Sequence, residues 1–206
     1  MADEITALQT YLDKHTKTHL IFDFDETLVR LVLPWEDWIK DFPHLPDKQG
    51  KKIMEKYNKG LLSVSGLQNE LVRQYGQSMR QKIFKNDLVF ETKMLRTTEV
   101  NEALIQCVKN LKGYEIYLWT SNTRKAVKKV LKNVSLASVF TKIVARDDVS
   151  YLKPDPEGFY ILRDAHIAKE KYLFIGNSHN DRFAAKAAGI DYFQIDYFNK
   201  RKVSPH

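Results

Sequence analysis

The chain holds a single cysteine, Cys107, in 206 residues. That count excludes an intrachain disulfide and fits a reducing compartment. Long hydrophobic runs are missing too. No apolar stretch approaches the roughly 20 residues a membrane-crossing helix needs, so no membrane partner is expected. The segment MADEITALQTYL is acidic and amphipathic and does not resemble a secretory signal, which leads to the expectation of a cytoplasmic protein. Internal repeats and low-complexity segments are absent, which excludes a repeat array. Compact charge of one sign is also scarce. The net charge is +7, but bases and acids are interleaved, and only Lys200, Arg201 and Lys202 cluster. Specific nucleic-acid binding is therefore not expected, and attraction for phosphorylated small molecules is an equally good use of the charge.

What is present suits a packed core: 43% of residues are hydrophobic and 12% aromatic. The length fits one domain, or one domain with an insertion. Ile5, Leu8 and Leu12 stand at helical spacing and predict a short helix docking on the body. Cys107 shares a helical face with Val100, Leu104, Val108 and Leu111, the setting of a buried structural thiol.

From Arg96 onward, helix and strand patterns alternate. RTTEVNEALIQCVKNLKG predicts a helix capped by Thr97 or Thr98 and ended by Gly113. Strands are predicted at Tyr114–Thr120, Phe140–Ala145, Lys171–Gly176 and Asp191–Ile195. Helices are predicted over TRKAVKKVLKNV, over Glu157–His166, and over Asp181–Ala188 with Gly189 as the stop. This alternation implies an α/β fold, a parallel sheet covered by helices on both faces. The stretch from about Leu28 to Arg96 breaks the pattern. Trp35, Trp38, Ile39, Ile53, Met54, Tyr57, Leu67, Leu71, Val72, Tyr75 and Ile83 recur there at helical intervals. Gly50, Gly60, Gly66 and Gly76 fall between or near the ends of the candidate helices. The region predicts a helical bundle inserted after the first strand.

That first strand, in HLIFDFDETLVR, is the most informative part of the chain. Leu20, Ile21 and Phe22 lead into Asp23 and Asp25, with Thr27 following. Two carboxylates that close are costly unless a cation or a shared proton offsets their repulsion, so a metal-assisted or acid/base site competes with an acidic turn capped by Thr27. Ligand sites in open parallel sheets lie at the C-terminal strand ends. Thr120, Ser121 and Asn122 follow one strand, Lys153 lies in the loop after another, and Asn177, Asn180 and Asp181 follow a third. Taken singly, Thr120 reads as a helix cap, Lys153 as a surface lysine and Asn180 as an N-cap. Together they form a convergent set at one sheet edge.

With these groups assembled, the chain resembles the haloacid dehalogenase superfamily of hydrolases. DFDETL resembles the family's Asp-x-Asp-x-Thr/Val motif, LWTSN its second motif, ARDDVSYLKPDPEGF its third and IGNSHNDRFAAKAAGI its fourth. The resemblance implies a Rossmann-like core formed by 1–27 and 97–206, with 28–96 as a helical cap. It implies an Mg²⁺-dependent phosphatase acting on a small phosphorylated substrate. In that reading Asp23 is the nucleophile and Asp25 the general acid/base, while Thr120 and Lys153 complete the catalytic set. Thr27, Ser121 and Asn122 would bind substrate. Asp23, Asp25 (through its carbonyl), Asn177 and Asp181 would hold the metal.

One departure stands out: Asn177 occupies a position where the family usually has an aspartate. Its amide oxygen can coordinate Mg²⁺ without adding charge, Asp181 can take a larger share, or Asp181 can bond Lys153 or a metal-bound water instead. Asp25 favours phosphoester hydrolysis over dehalogenation, because a halide leaving group needs no proton. The motifs fit a sugar-phosphate mutase of the same family as well, and a non-catalytic binding or scaffold protein stands as the rival from another class. Arg73 and Arg80 are candidate cap contacts to substrate, against the plainer reading of a solvated helix face.

Overall fold

The computed structural model describes residues 2–39, 42, 45 and 47–198. Helix α1 (Ala2–Lys14) buries Leu8 and Leu12, as the spacing predicts. Strand β1 (His19–Phe22) follows, with all four residues buried. The chain then forms a short strand β2 (Val29–Val32), three helices α2 (Trp35–Trp38), α3 (Lys48–Asn58) and α4 (Val64–Lys93), and strand β3 (Thr97–Val100). The remainder alternates: α5 (Glu102–Asn110), β4 (Glu115–Trp119), α6 (Arg124–Asn133), β5 (Lys142–Val144), α7 (Glu157–Leu162), β6 (Tyr172–Gly176), α8 (His179–Ala188) and β7 (Asp191–Gln194).

Five strands form one parallel sheet in the order β5-β4-β1-β6-β7. β1 lies at its centre, and its register aligns Phe22 with Leu118 and Ile175. Alternation along β1 sends Leu20 and Phe22 to one face and Ile21 to the other. Leu20 and Phe22 pack with Leu12 of α1, Val108 of α5 and Val127 of α6. Ile21 packs with Phe159 of α7 and with Ala184 and Ala188 of α8. Helices therefore cover both faces, the architecture the sequence predicts. Each fully buried Leu, Ile, Val or Phe side chain among these contributes about 1.5–3 kcal/mol relative to exposure. The first core also runs without a break into the insert, through Trp38, Ile53, Leu71, Ile83 and Phe90.

Several sequence expectations are corrected. Val29–Val32 is a strand, and Thr97–Val100 is its antiparallel partner rather than the start of a helix. β-branched Thr97, Thr98 and Val100 favour an extended chain once a partner strand is available. α5 consequently begins at Glu102, where the Asn101 side chain accepts from the Leu104 N–H at 3.2 Å. It ends at Asn110, and Gly113 (φ 78°) lies in the turn beyond it. The strand expected over Phe140–Ala145 shortens to β5, and the helix expected over Glu157–His166 shortens to α7. Gly50 and Gly66 fall inside the first turns of α3 and α4. Gly76, with φ 68° and ψ −158°, breaks helical geometry within α4. The basic cluster Lys200, Arg201 and Lys202 and the side chain of Trp35 lie outside the described residues.

Candidate active site

The Asp23 N–H donates to the Ile175 carbonyl at 2.9 Å, which keeps Asp23 in line with the central sheet. Phe24, fully buried, anchors the chain between the two aspartates. Glu26 adopts a left-handed backbone (φ 61°), and the Leu28 and Val29 N–H groups both donate to the Phe24 carbonyl. This tight turn returns the chain to β2, whose Leu31 N–H donates to Asp25 Oδ1 at 2.8 Å. One strand end thus delivers two carboxylates in different settings.

Asp23 is 5% exposed. Lys153 Nζ donates to its Oδ1 at 2.5 Å, and the Thr27 hydroxyl donates to its Oδ2 at 2.9 Å. Lys153, 3% exposed, also donates to Asp181 Oδ1 at 2.5 Å and to the Trp119 carbonyl at 3.2 Å. Burial pushes Asp23 up to about 6, Asp181 adds to the rise, and Lys153 opposes it. Asp25 is pushed up to about 8, chiefly by burial. Its bond from Leu31 opposes the shift, and the charges of Asp23, Glu26 and Glu91 reinforce it. Burial acts to lower Lys153, but Asp181 and Asp23 outweigh it and hold the ammonium above its ordinary range. Near neutral pH, Asp23 is therefore mostly ionised, Asp25 is mostly a neutral acid and Lys153 is a cation.

Asp181 is committed on both oxygens. Its Oδ2 accepts from the Ser178 N–H at 2.9 Å, the Ser178 hydroxyl at 2.6 Å and the Asn177 N–H at 3.3 Å. Ser178 and Asp181 form a reciprocal cap at the start of α8, so the helix begins at His179, one residue before Asn180, and Ser178, not Asn180, caps it. A Cβ on Gly176 would lie 2.8 Å from Asp181 Oδ2, so the close approach of that carboxylate requires glycine there. Of the expected metal set, Asn177 keeps its amide oxygen toward the site, 3.3 Å from the Thr27 hydroxyl. Among the described residues no three His, Cys, Asp or Glu side chains are grouped to hold a metal ion.

A cavity of about 210 Å³ opens over these groups, lined by Asp23, Asp25, Lys153, Asn177, Asn180 and Asp181 together with Ser121 and Asn122. Thr120 and Thr27 are not on its wall. Thr120 lies beneath the loop, 2% exposed, with its hydroxyl donating to Asn122 Oδ1 at 2.8 Å and accepting from the Asn122 N–H at 3.1 Å. Thr27 is fully buried below Asp23 and Asn177.

The sequence reading missed the wall that the insert supplies. Glu91 of α4, 3% exposed, lines the cavity. It accepts from the Thr123 N–H and hydroxyl, each at 2.6 Å, and from Asn122 Nδ2 at 3.2 Å. A carboxylate at the N-terminus of α6 is favourably placed against the helix dipole. Nothing local marks Glu91 among the other acids of α4. Arg146 and Ser178 had a signal, since both stand inside motif segments. Arg146 Nε donates to the Ser121 carbonyl at 2.7 Å, and its Nη1 pairs with Asp87 and donates to Gln68 of α4. Asn69 exchanges two hydrogen bonds, at 2.7 and 2.8 Å, with the backbone of Leu152, one residue before Lys153. The insert therefore grips the loop that carries Ser121 and Asn122 and the loop that carries Lys153. Arg73 and Arg80 belong to this seam rather than to the cavity. Arg73 pairs with Asp155, and Arg80 donates to the Val149 and Asp147 carbonyls.

Comparison with known proteins accords with this arrangement. The model of the haloacid dehalogenase-like hydrolase family matches residues 20–195. Phosphoglycolate phosphatase 1 of Pseudomonas aeruginosa is 35% identical over 103 residues, 48% of this chain and 38% of that protein. Phosphoglycolate phosphatase of Escherichia coli K12 is 33% identical over 87 residues, 42% of this chain and 34% of that protein. The matched stretch thus spans under two fifths of each of these relatives. A haloacid dehalogenase-superfamily hydrolase of subfamily IA from Geobacter sulfurreducens shares the fold with a TM-score of 0.55 at 18% identity, over 87% of each chain. In sequence motifs, sheet order and family match alike, this chain belongs to the haloacid dehalogenase-like hydrolases.

Proposed function

We propose that the chain is an Mg²⁺-dependent phosphoric monoester hydrolase that cleaves a small phosphorylated metabolite through an aspartyl-phosphate on Asp23. The observation that carries this reading is the pair of aspartates lining one cavity in different settings, Asp23 held by the Lys153 ammonium and the Thr27 hydroxyl, and Asp25 accepting from the Leu31 N–H and raised further by burial. Two titratable groups whose surroundings push them apart are suited to separate nucleophile and acid roles.

Asp23, held by Lys153 and Thr27, attacks phosphorus as the bond to the leaving oxygen breaks. Asp25 gives its proton to that oxygen. Asp25, now a carboxylate, takes a proton from water as the water attacks phosphorus, the Asp23–phosphorus bond breaks and phosphate departs. Lys153 offsets charge on the nucleophile and the phosphoryl group. Ser121 and Asn122 receive the phosphoryl oxygens, and Thr120 acts by fixing Asn122. Residues 28–96 act as the cap, and their seam with the core limits water around the reacting atoms.

The donor set fits a hard cation. Asp23 Oδ2 and the Asn177 amide oxygen share the single proton of the Thr27 hydroxyl, at 2.9 and 3.3 Å. One proton for two oxygen acceptors leaves capacity that Mg²⁺ satisfies. Asp23 and Asn177 would hold the ion, with the Asp25 carbonyl, and Asp181 would serve Lys153. When bound, Mg²⁺ supplies charge neutralisation at the phosphoryl oxygens.

The test is release of phenolate from an aryl phosphate, with Mg²⁺ and with a chelator, followed by a panel of phosphorylated metabolites that includes phosphoglycolate. Wild type turns over with Mg²⁺ and stops with chelator, and Asp23→Asn falls to background. Equal rates in the two proteins would refute the nucleophile. Asn177→Asp adds a charge to the donor set and is expected to lower the Mg²⁺ concentration for half-maximal rate. An unchanged requirement would remove Asn177 from the ligand set.

A further inference from the structure

A second concavity shares no lining residue with the cavity over Asp23. It encloses about 580 Å³ between the start of β3, α5 and α6, within the usual range for small-ligand pockets of roughly 300–1,000 Å³. Three elements each contribute one cation to it: Arg96 just before β3, Lys109 of α5 and Lys129 of α6. Glu102 is the carboxylate on the same wall. None of the three cations makes a side-chain hydrogen bond or ion pair among the described residues. Like charges from separate elements that converge on one hollow repel each other until an anion neutralises them. The Thr98 and Ser135 hydroxyls add donors at the rim, while Val100, Val130 and Val134 supply an apolar floor.

We infer that this groove binds a small organic polyanion, with its charged groups on Arg96, Lys109 and Lys129 and an apolar or ring portion on the valine floor. Nucleoside diphosphates have this chemistry. The position has a structural consequence as well. Thr98 is paired with Leu31 across the β2–β3 ribbon, and the Leu31 N–H is the donor to Asp25. A ligand in the groove would rest on the ribbon that holds the general acid proposed above.

The test is calorimetric titration of the full chain with ADP and with inorganic pyrophosphate, in low-salt, Mg²⁺-free buffer. One-to-one binding is expected, tighter for ADP because only ADP reaches the floor. Lys109→Glu/Lys129→Glu should weaken ADP by about tenfold or more, and Arg96→Glu should act in the same direction. Arg96 and Lys129 are exposed and Lys109 is half-buried, and none of the three lines the cavity over Asp23, so unchanged circular dichroism and aryl phosphatase activity verify that the variants fold. Two results would overturn the inference. One is ADP affinity unchanged in both variants. The other is no binding of ADP alongside tight oligonucleotide binding that is lost in Lys125→Glu/Lys128→Glu, which would make the outward lysine face of α6 a nucleic-acid surface instead.

Discussion

Asp25→Asn is expected to separate the two halves of the reaction. The carboxyl of Asp25 stands at about 8, pushed up first by burial and further by Asp23, Glu26 and Glu91, so it carries a proton at pH 7. An alkyl phosphate needs that proton on its leaving oxygen, and the variant should lose about 10²–10⁴ in rate with such substrates. An aryl phosphate does not, because phenolate leaves unaided. With it, Asp25→Asn should give a rapid burst of one phenolate per chain and then stall, since no base remains to activate water. Rapid mixing measures the burst. Equal slowing of both substrates from the first turnover, with no burst, would remove Asp25 from the acid role. In wild type, kcat/KM for alkyl substrates should fall on the alkaline side as Asp25 loses its proton near pH 8.

The same substitution carries a stability signature. A carboxyl whose folded-state pKa lies above its unfolded value favours the fold most below the unfolded value, and that contribution is lost as pH rises through the folded one. For Asp25 the window runs from about 4 to about 8. An amide does not ionise. Asp25→Asn should therefore match wild type in thermal midpoint near pH 4 and exceed it by a growing margin as pH rises to about 8. An identical gap at both pH values would mean that Asp25 does not ionise within the fold.

The sheet and the strand-end groups were legible because their signals are local. Buried strands read as continuous apolar runs, and the residues just after them land at one sheet edge whatever the loops do. The β2–β3 ribbon was not legible, since VRLV and TTEV stabilise each other across 64 or more intervening positions and neither is decisive alone. Glu91 escaped for a related reason. Its role depends on where α4 crosses Thr123, which is a matter of packing between distant segments. Asp181 was legible as a site residue but ambiguous in role. Only the register of the cap at α8 determines that one oxygen faces Lys153 and the other faces Ser178. Arg80 was readable as a cation, but its orientation toward backbone carbonyls of the core was not.

Lys153→Met is expected to be the most destabilising change at the site. Lys153 is 3% exposed and sits between Asp23 at 5% and Asp181 at 1%. Removing the shared cation leaves two buried carboxylates facing each other, and breaking a buried ion pair from one side typically costs about 3–5 kcal/mol. In a domain of this size each kcal/mol moves the thermal midpoint by roughly 2–4 °C, so a fall of about 6–20 °C should appear. The loss should deepen with pH. Asp23, already raised to about 6 beside the lysine, rises further without it, and the cost of ionising it in the fold grows as pH passes through that range. Asp181→Asn in the same background removes one of the two opposed charges. If the electrostatic account holds, Lys153→Met/Asp181→Asn unfolds later than the sum of the single changes predicts, with a flatter pH dependence. Additive losses, or a midpoint shift independent of pH from 5 to 8, would place the role of Lys153 in packing against Trp119 and Phe174 instead. Neither variant should hydrolyse phosphate esters, because the nucleophile in each has lost the ammonium that holds it.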